Sequence, residues 1–181
     1  MEAAISAADE MTFPPGGLAR SEGPRLASSH FTVKVGPDET GNRFALLEGV
    51  IPPGLLITPH VHLDVDELSI VVSGTLGAWV GDREYTVEPG GVLRKPRQVV
   101  HALWNAGPEP VVELEFFSPG AYVAFFSEVG RLPAGFGSDS DVLDEIAARY
   151  NQRWVRDAEW LPRIVEKYNV GGIRPVHAQP E

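Results

Sequence analysis

The chain has 181 residues, 43% of them hydrophobic, enough for one domain with a real core and too apolar for a disordered chain. It contains no cysteine, which excludes disulfides, thiolate metal sites and a cysteine nucleophile, and fits a reducing, cytoplasmic setting. A formal net charge of −10 repels phosphate backbones and argues against nucleic-acid binding.

The opening MEAAISAADE has no basic n-region and no apolar h-region, so no secretory signal is expected. No apolar run approaches the roughly 20 residues of a membrane span. Residues 1–29 are rich in Gly, Pro, Ser and Ala and read as an N-terminal arm. From His30 the pattern changes to short β-like runs: FTVKV (31–35), RFALLEGVI (43–51), LSIVVSG (68–74), LGAWV (76–80), REYTV (83–87), VVHALWN (99–105) and VVELEFF (111–117). Gly74-Thr75 and Gly81-Asp82 read as tight hairpin connections, because glycine tolerates positive φ. Sixteen prolines fit poorly in helix interiors or central strands and point to the same all-β class. About eight strands over residues 30–120 suit a jelly-roll barrel. Several runs are apolar at nearly every position, which implies burial on both faces. A partner subunit is therefore expected, giving a homodimer, with the chain's own tails as the other possible cover.

After Ser118 the texture becomes helical, and residues 121–181 read as a helical extension. AYVAFFSEVGRL suits a short apolar helix. Ser138 or Asp139 is placed to cap a helix running to about Tyr150. Trp154, Ala158, Leu161, Val165 and Tyr168 continue a helical stripe that Pro162 should break or kink and Gly171-Gly172 should end.

Residues 54–74 read GLLITPHVHLDVDELSIVVSG. His60 and His62 are two apart, so on a strand they project from one face. Two adjacent imidazoles can share one metal at about 2.0–2.1 Å. Glu67 offers a hard anionic oxygen, and His101, on a later run, is the candidate third imidazole. Asp64 and Asp66 are rival oxygen donors. His30 and His177 stand alone and read as ordinary histidines. Such a set suits one divalent ion per chain, Fe, Mn, Ni, Co, Zn or Cu, with one or two coordination positions left open.

These residues resemble the cupin family. Gly54, His60, His62, Glu67 and Gly74 match every position of its first motif, G-x5-H-x-H-x4-E-x6-G. Of its second, G-x5-P-x-G-x2-H-x3-N, Pro96, His101 and Asn105 are in register, Gly90-Gly91 precedes them, and Gln98 stands where glycine is expected. The resemblance covers about residues 30–128, favours Glu67 over Asp64 and Asp66, and implies a double-stranded β-helix. Within the family the stretch FFSPGAYVAFFSEVG is similar to quercetin 2,3-dioxygenase-like members. That resemblance implies a metal-dependent dioxygenase with a small aromatic or enolic substrate, in which Glu67 serves as ligand and also as catalytic proton acceptor. Because one fold hosts many chemistries, a non-oxidative isomerase or lyase and a non-catalytic small-molecule-binding protein are the alternatives.

Overall fold

The computed structural model describes residues 16–26, 30–132 and 141–171. Two five-stranded antiparallel sheets face each other. The first has the order β1 (Phe31–Val35), β2 (Ala45–Ile51), β9 (Val111–Ser118), β4 (Asp66–Ser73), β7 (Val92–Lys95). The second has the order β10 (Gln152–Trp154), β3 (Leu56–His62), β8 (His101–Trp104), β5 (Leu76–Val80), β6 (Arg83–Val87). This is the expected all-β jelly roll, with a cupin fold. The helices are short: α1 (Ala124–Val129), α2 (Asp141–Arg149) and α3 (Leu161–Tyr168). No helix among the described residues is long and apolar enough to cross a membrane.

Three strands go beyond the sequence reading: β3, β7 and β10. Gly81-Asp82 is a two-residue hairpin, with Val80 paired to Arg83 and Gly81 at φ 64°. Gly74-Thr75 is not a hairpin; it carries the chain from the first sheet to the second. Gly74 is required there twice over, by a φ of 78° and because a Cβ would stand 2.9 Å from Cα of Val111.

The helical stripe from Trp154 is also corrected. Trp154 belongs to β10, where it pairs with His60. The helix starts at Leu161 with Pro162 in its first turn, where a missing N–H costs nothing. It ends at Asn169, in the left-handed conformation at φ 49°, before Gly171 is reached. The proposed caps Ser138 and Asp139, Gly172, His177 and most of the arm lie outside the described residues.

Along the inner face of the first sheet the side chains form layers. On β9 the inward residues run Val111, Glu113, Glu115, Phe117; on β4 they run Val71, Ser69, Glu67; on β7, Leu93, Lys95. Val111, Val71 and Leu93 join Ile51, Leu76 and Leu103 in an apolar plug at one end of the barrel. Phe117 joins Ala45, Tyr122, Phe125 and Ile146 in an aromatic cap at the other. Between plug and cap lies a polar layer: Lys95, Ser69, Glu113, Glu115 and Glu67, all buried.

The outer face of the second sheet is covered by the chain itself. Trp160 stacks on Trp79 with ring centroids 4.7 Å apart, Tyr168 packs on Trp104, and Ile164 is fully buried between them. Gly77 allows Trp104 to lie flat on the sheet, since a Cβ there would come within 2.0 Å of the indole nitrogen. Gly77→Ala must therefore displace a fully packed ring. It is expected to destabilise the fold by about 1–3 kcal/mol, the usual cost of overpacking, read as a lower urea midpoint. An unchanged midpoint would mean that Trp104 is free to move.

Candidate metal centre

The local sequence builds the site through a bulge. Ile57 pairs with Leu103 and His60 with His101, so three residue steps on β3 span two on β8. Pro59 lies in the slipped segment; lacking an N–H it cannot complete the ladder there. Its carbonyl instead accepts the N–H of Val155 at 2.8 Å. The slip brings His60 and His62 to the inner face, opposite His101. Glu67 enters from the facing sheet, as the second residue of β4.

The four expected ligands converge. Nitrogen and oxygen donors of His60, His62, Glu67 and His101 all lie within 4.8 Å of one another, and all four residues are buried. Ring centroids of His60 and His101 are 4.3 Å apart, and those of His60 and His62 5.0 Å. Nδ1 of His60 donates to the carbonyl of Thr58 at 2.9 Å, and Nδ1 of His101 to that of Val99 at 3.0 Å. In each case the backbone two residues upstream fixes the tautomer and leaves Nε2 as a bare lone pair.

Two of the imidazoles stand against the carboxylate. Nε2 of His62 stands 3.0 Å, and Nε2 of His101 3.2 Å, from Oε2 of Glu67. Yet Oε2 of Glu67 and Nε2 of His101 make no hydrogen bond among the described residues, and neither does Nδ1 of His62. Acceptors held this close repel unless something positive lies between them. A divalent cation turns each into a ligand, so the residues fit a metal. The protonation states agree. Burial, reinforced by His101 and His62, holds His60 well below the usual imidazole range, so it is neutral and free to coordinate. Burial alone would raise Glu67, but the adjacent Lys95 charge overcomes it and holds the carboxyl well below its usual range.

The rival carboxylates point elsewhere. Asp64 accepts from Nδ2 of Asn151 at 2.7 Å. Asp66, half exposed, pairs with Arg97, whose Nε lies 3.0 Å away. Neither carboxylate orients an imidazole; backbone carbonyls do that work. Asn105 satisfies loop backbone, donating to the carbonyls of Ile51 and Glu109 and accepting from Gly107. Gln98 at the family's glycine position adopts φ 64°, the conformation a glycine would take there. Its N–H donates to the carbonyl of His62 at 2.6 Å. The Gln98 amide reaches toward the carbonyl of Leu63, outside the metal cluster.

Other neighbours of the cluster escaped the sequence reading. The Tyr122 ring meets His62 edge-on at 4.6 Å, and its hydroxyl hydrogen-bonds Oε1 of the buried Gln152. Trp154 lies 5.5 Å from His60 and leaves its Nε1 without a hydrogen bond. It also borders an outer groove of about 600 Å³, shared with Val61, Gln98, Arg153 and Val155. Below Glu67, the ammonium of Lys95 donates to Glu67, Ser69 and Glu115. Burial pushes the carboxyls of Glu113 and Glu115 up.

Changing His101 to Ala removes one of four donors. Metal affinity is expected to fall by at least the roughly 10- to 100-fold that loss of a ligand's hydrogen-bond partner costs, with wild type holding one ion per chain by elemental analysis. Equal occupancy in wild type and in a His60→Ala/His62→Ala double variant would refute the site.

Residues 47–117 match the family model for the Cupin domain, and all four ligands lie within that segment. No curated protein matches the chain. Among solved structures it is similar to an uncharacterized conserved protein with a double-stranded β-helix domain from Klebsiella pneumoniae subsp. pneumoniae MGH 78578. The identity is 24% over 66% of this chain and 92% of that one, with a TM-score of 0.45. It is also similar to KdgF from Halomonas sp., at 23% identity over 43% of this chain and 70% of that one, TM-score 0.41. A third likeness is to the DMSP lyases RdDddP and RnDddQII, at 25% identity over 49% of this chain and 46% of that one, TM-score 0.43.

Proposed function

We propose that this chain, whose residues 47–117 match the Cupin domain family model, is a metal-dependent dioxygenase of a small aromatic or enolic molecule. The observation that supports this most is the convergence of the His60, His62, Glu67 and His101 donor atoms within 4.8 Å of one another, with Oε2 of Glu67 and Nε2 of His101 making no hydrogen bond among the described residues. Three imidazoles and one carboxylate would hold a divalent ion with one or two positions left for an exogenous ligand. Such an ion, when bound, would polarise a substrate hydroxyl or enolate oxygen and supply the chemistry of dioxygen activation. The chain's own part is positional. Tyr122, Phe117 and Phe125 close one end of the barrel and keep water out. Glu67 enters the reaction as a carboxylate, able to accept the substrate's proton through an oxygen that receives no hydrogen bond. Lys95 tempers that basicity by favouring the ionised form.

In the metal-loaded protein, a panel of enolic substrates should cause dioxygen uptake at an oxygen electrode. Glu67→Gln, compared at equal metal occupancy, should lower turnover by about 10²-fold or more, the scale of general-base effects. Full turnover in that variant would leave Glu67 a ligand only. A second reading, a non-oxidative lyase or isomerase, is favoured by Tyr122, a buried hydroxyl beside His62 and tied to Gln152. Turnover without dioxygen, abolished by Tyr122→Phe, would select that reading over the first.

We also propose that the protein is a homodimer, joined through the outer face of the first sheet. Support comes from the side chains that alternation turns outward there: Leu68, Ile70 and Val72 on β4, Leu114 and Phe116 on β9, and Val92 on β7. Val92 is 55% exposed and Val72 42%, more than a lone subunit needs to show. A stable homodimer buries on the order of 2,000 Å² or more. Sedimentation at micromolar concentration should give twice the chain mass, and Ile70→Glu should convert it to monomer; a wild-type monomer would refute the pairing.

A further inference from the structure

The barrel interior holds an ion cluster that packing does not call for. Burying an ammonium with carboxylates is costly, and apolar residues of the same volume usually serve a core at least as well. The cluster lies beside the metal ligand Glu67, which pairs with Lys95, and extends along β9 to Glu115 and Glu113 opposite Ser69 and Val71, bordered by the apolar side chains of Val71, Leu93 and Val111. Its centre is Lys95, which is fully buried. The three N–H donors of the ammonium meet three groups: Oε1 of Glu67 at 2.8 Å, Oγ of Ser69 at 2.8 Å, and Glu115 at 2.8 Å and 3.1 Å. Ser69 in turn donates to Oε1 of Glu115 at 2.6 Å. Lys95 is thus anchored from two sides before it touches Glu67. The oxygens of Glu67 are divided by this arrangement: Oε1 is taken by Lys95, while Oε2 alone faces the imidazoles of His62 and His101.

We propose that Lys95 is a positioning residue that makes Glu67 a one-oxygen ligand, and so keeps open a coordination position that the second oxygen would otherwise fill. The inference rests on the four-ligand metal centre. With Oε1 tied to an ammonium that is itself pinned by Ser69 and Glu115, Glu67 cannot close on the ion with both oxygens. Released from Lys95, it can, giving five protein donor atoms instead of four at the expense of an incoming ligand. Glu115 and Ser69 act one step further out, by fixing the ammonium.

Cobalt(II) is the probe, because its visible absorption responds to coordination number, and azide is the competing ligand. Lys95→Met alone strands Glu115 and Glu113 without a counter-charge and is expected to fold poorly. Lys95→Met/Glu115→Gln removes the ammonium and its main carboxylate together at nearly constant volume. Relative to wild type, this double variant should show a shifted cobalt spectrum and azide affinity weakened about tenfold or more, the scale on which partners of metal ligands act. Glu115→Gln alone, which keeps Lys95 on Glu67, should retain the wild-type spectrum. A folded double variant with one cobalt per chain, an unchanged spectrum and unchanged azide affinity overturns the role of Lys95. So does a crystal structure of the cobalt-loaded wild type in which both oxygens of Glu67 bond the ion, a result that needs no variant. A wild type that takes up no cobalt overturns the metal centre itself, and this inference with it.

Discussion

Inside this barrel the lone pairs of imidazoles and one carboxylate point into a single small volume, and the surrounding structure prevents them from moving apart. The carbonyls of Thr58 and Val99 hold two of the imidazoles by their opposite nitrogens. Lys95 holds the carboxylate by its opposite oxygen. Each acceptor is therefore gripped from behind and left bare in front. In water such groups would turn away or take up protons. Here burial penalises the charged form of His60, and the neighbouring ammonium penalises the neutral carboxyl of Glu67, so both stay in the form that binds a cation. The bulge at Pro59, the polar layer and the aromatic cap all follow from keeping that geometry in place.

The ligands were legible in the sequence because their placement uses the shortest rule available, the two-residue period of a strand. The strand that carries His60 and His62 was harder to see as an element, since Pro59 interrupts it and Pro52, Pro53 and Gly54 crowd its approach. Gln98 shows a different kind of legibility: its mismatch with glycine marked a backbone conformation that the structure retains with a larger residue. Lys95 and Glu115 were not legible. In the run V-V-E-L-E-F-F, simple alternation would put Glu113 and Glu115 in solvent and Leu114 and Phe116 in the core. The structure does the reverse, because Lys95 and Ser69 wait inside for the carboxylates. Trp154 was misassigned for a related reason. Its spacing to Ala158 and Leu161 fits a helix, but pairing with β3 decides its conformation.

The first sheet is thus inverted along part of its width, with charges facing in and aliphatic and aromatic side chains facing out. The two halves of this inversion are one choice. A strand that turns Glu113 and Glu115 inward must turn Val112, Leu114 and Phe116 outward. The polar layer that grips Glu67 inside the barrel therefore creates an apolar surface outside it, next to the stacked rings of Phe44 and Phe116. The second sheet meets the same demand differently, by laying Trp160, Ile164 and Tyr168 of the C-terminal segment over Trp79 and Trp104.

Strand β10 has a bearing on the order of events as the chain folds. Gln152 pairs with His62 and Trp154 with His60, in each case across more than ninety positions of sequence, counted inclusively. Neighbouring strands such as β5 and β6 meet through a two-residue turn and close almost without entropic penalty. The outer partner of the histidine strand arrives only with residues 152–154. Contacts of such long range are slow to form and late to be rewarded. The barrel walls can assemble while the histidine strand is still an open edge, and during synthesis that edge stays unpaired until residues 152–154 emerge. The strand that carries His60 and His62 thus gains its outer partner only after all four residues of the cluster have been made.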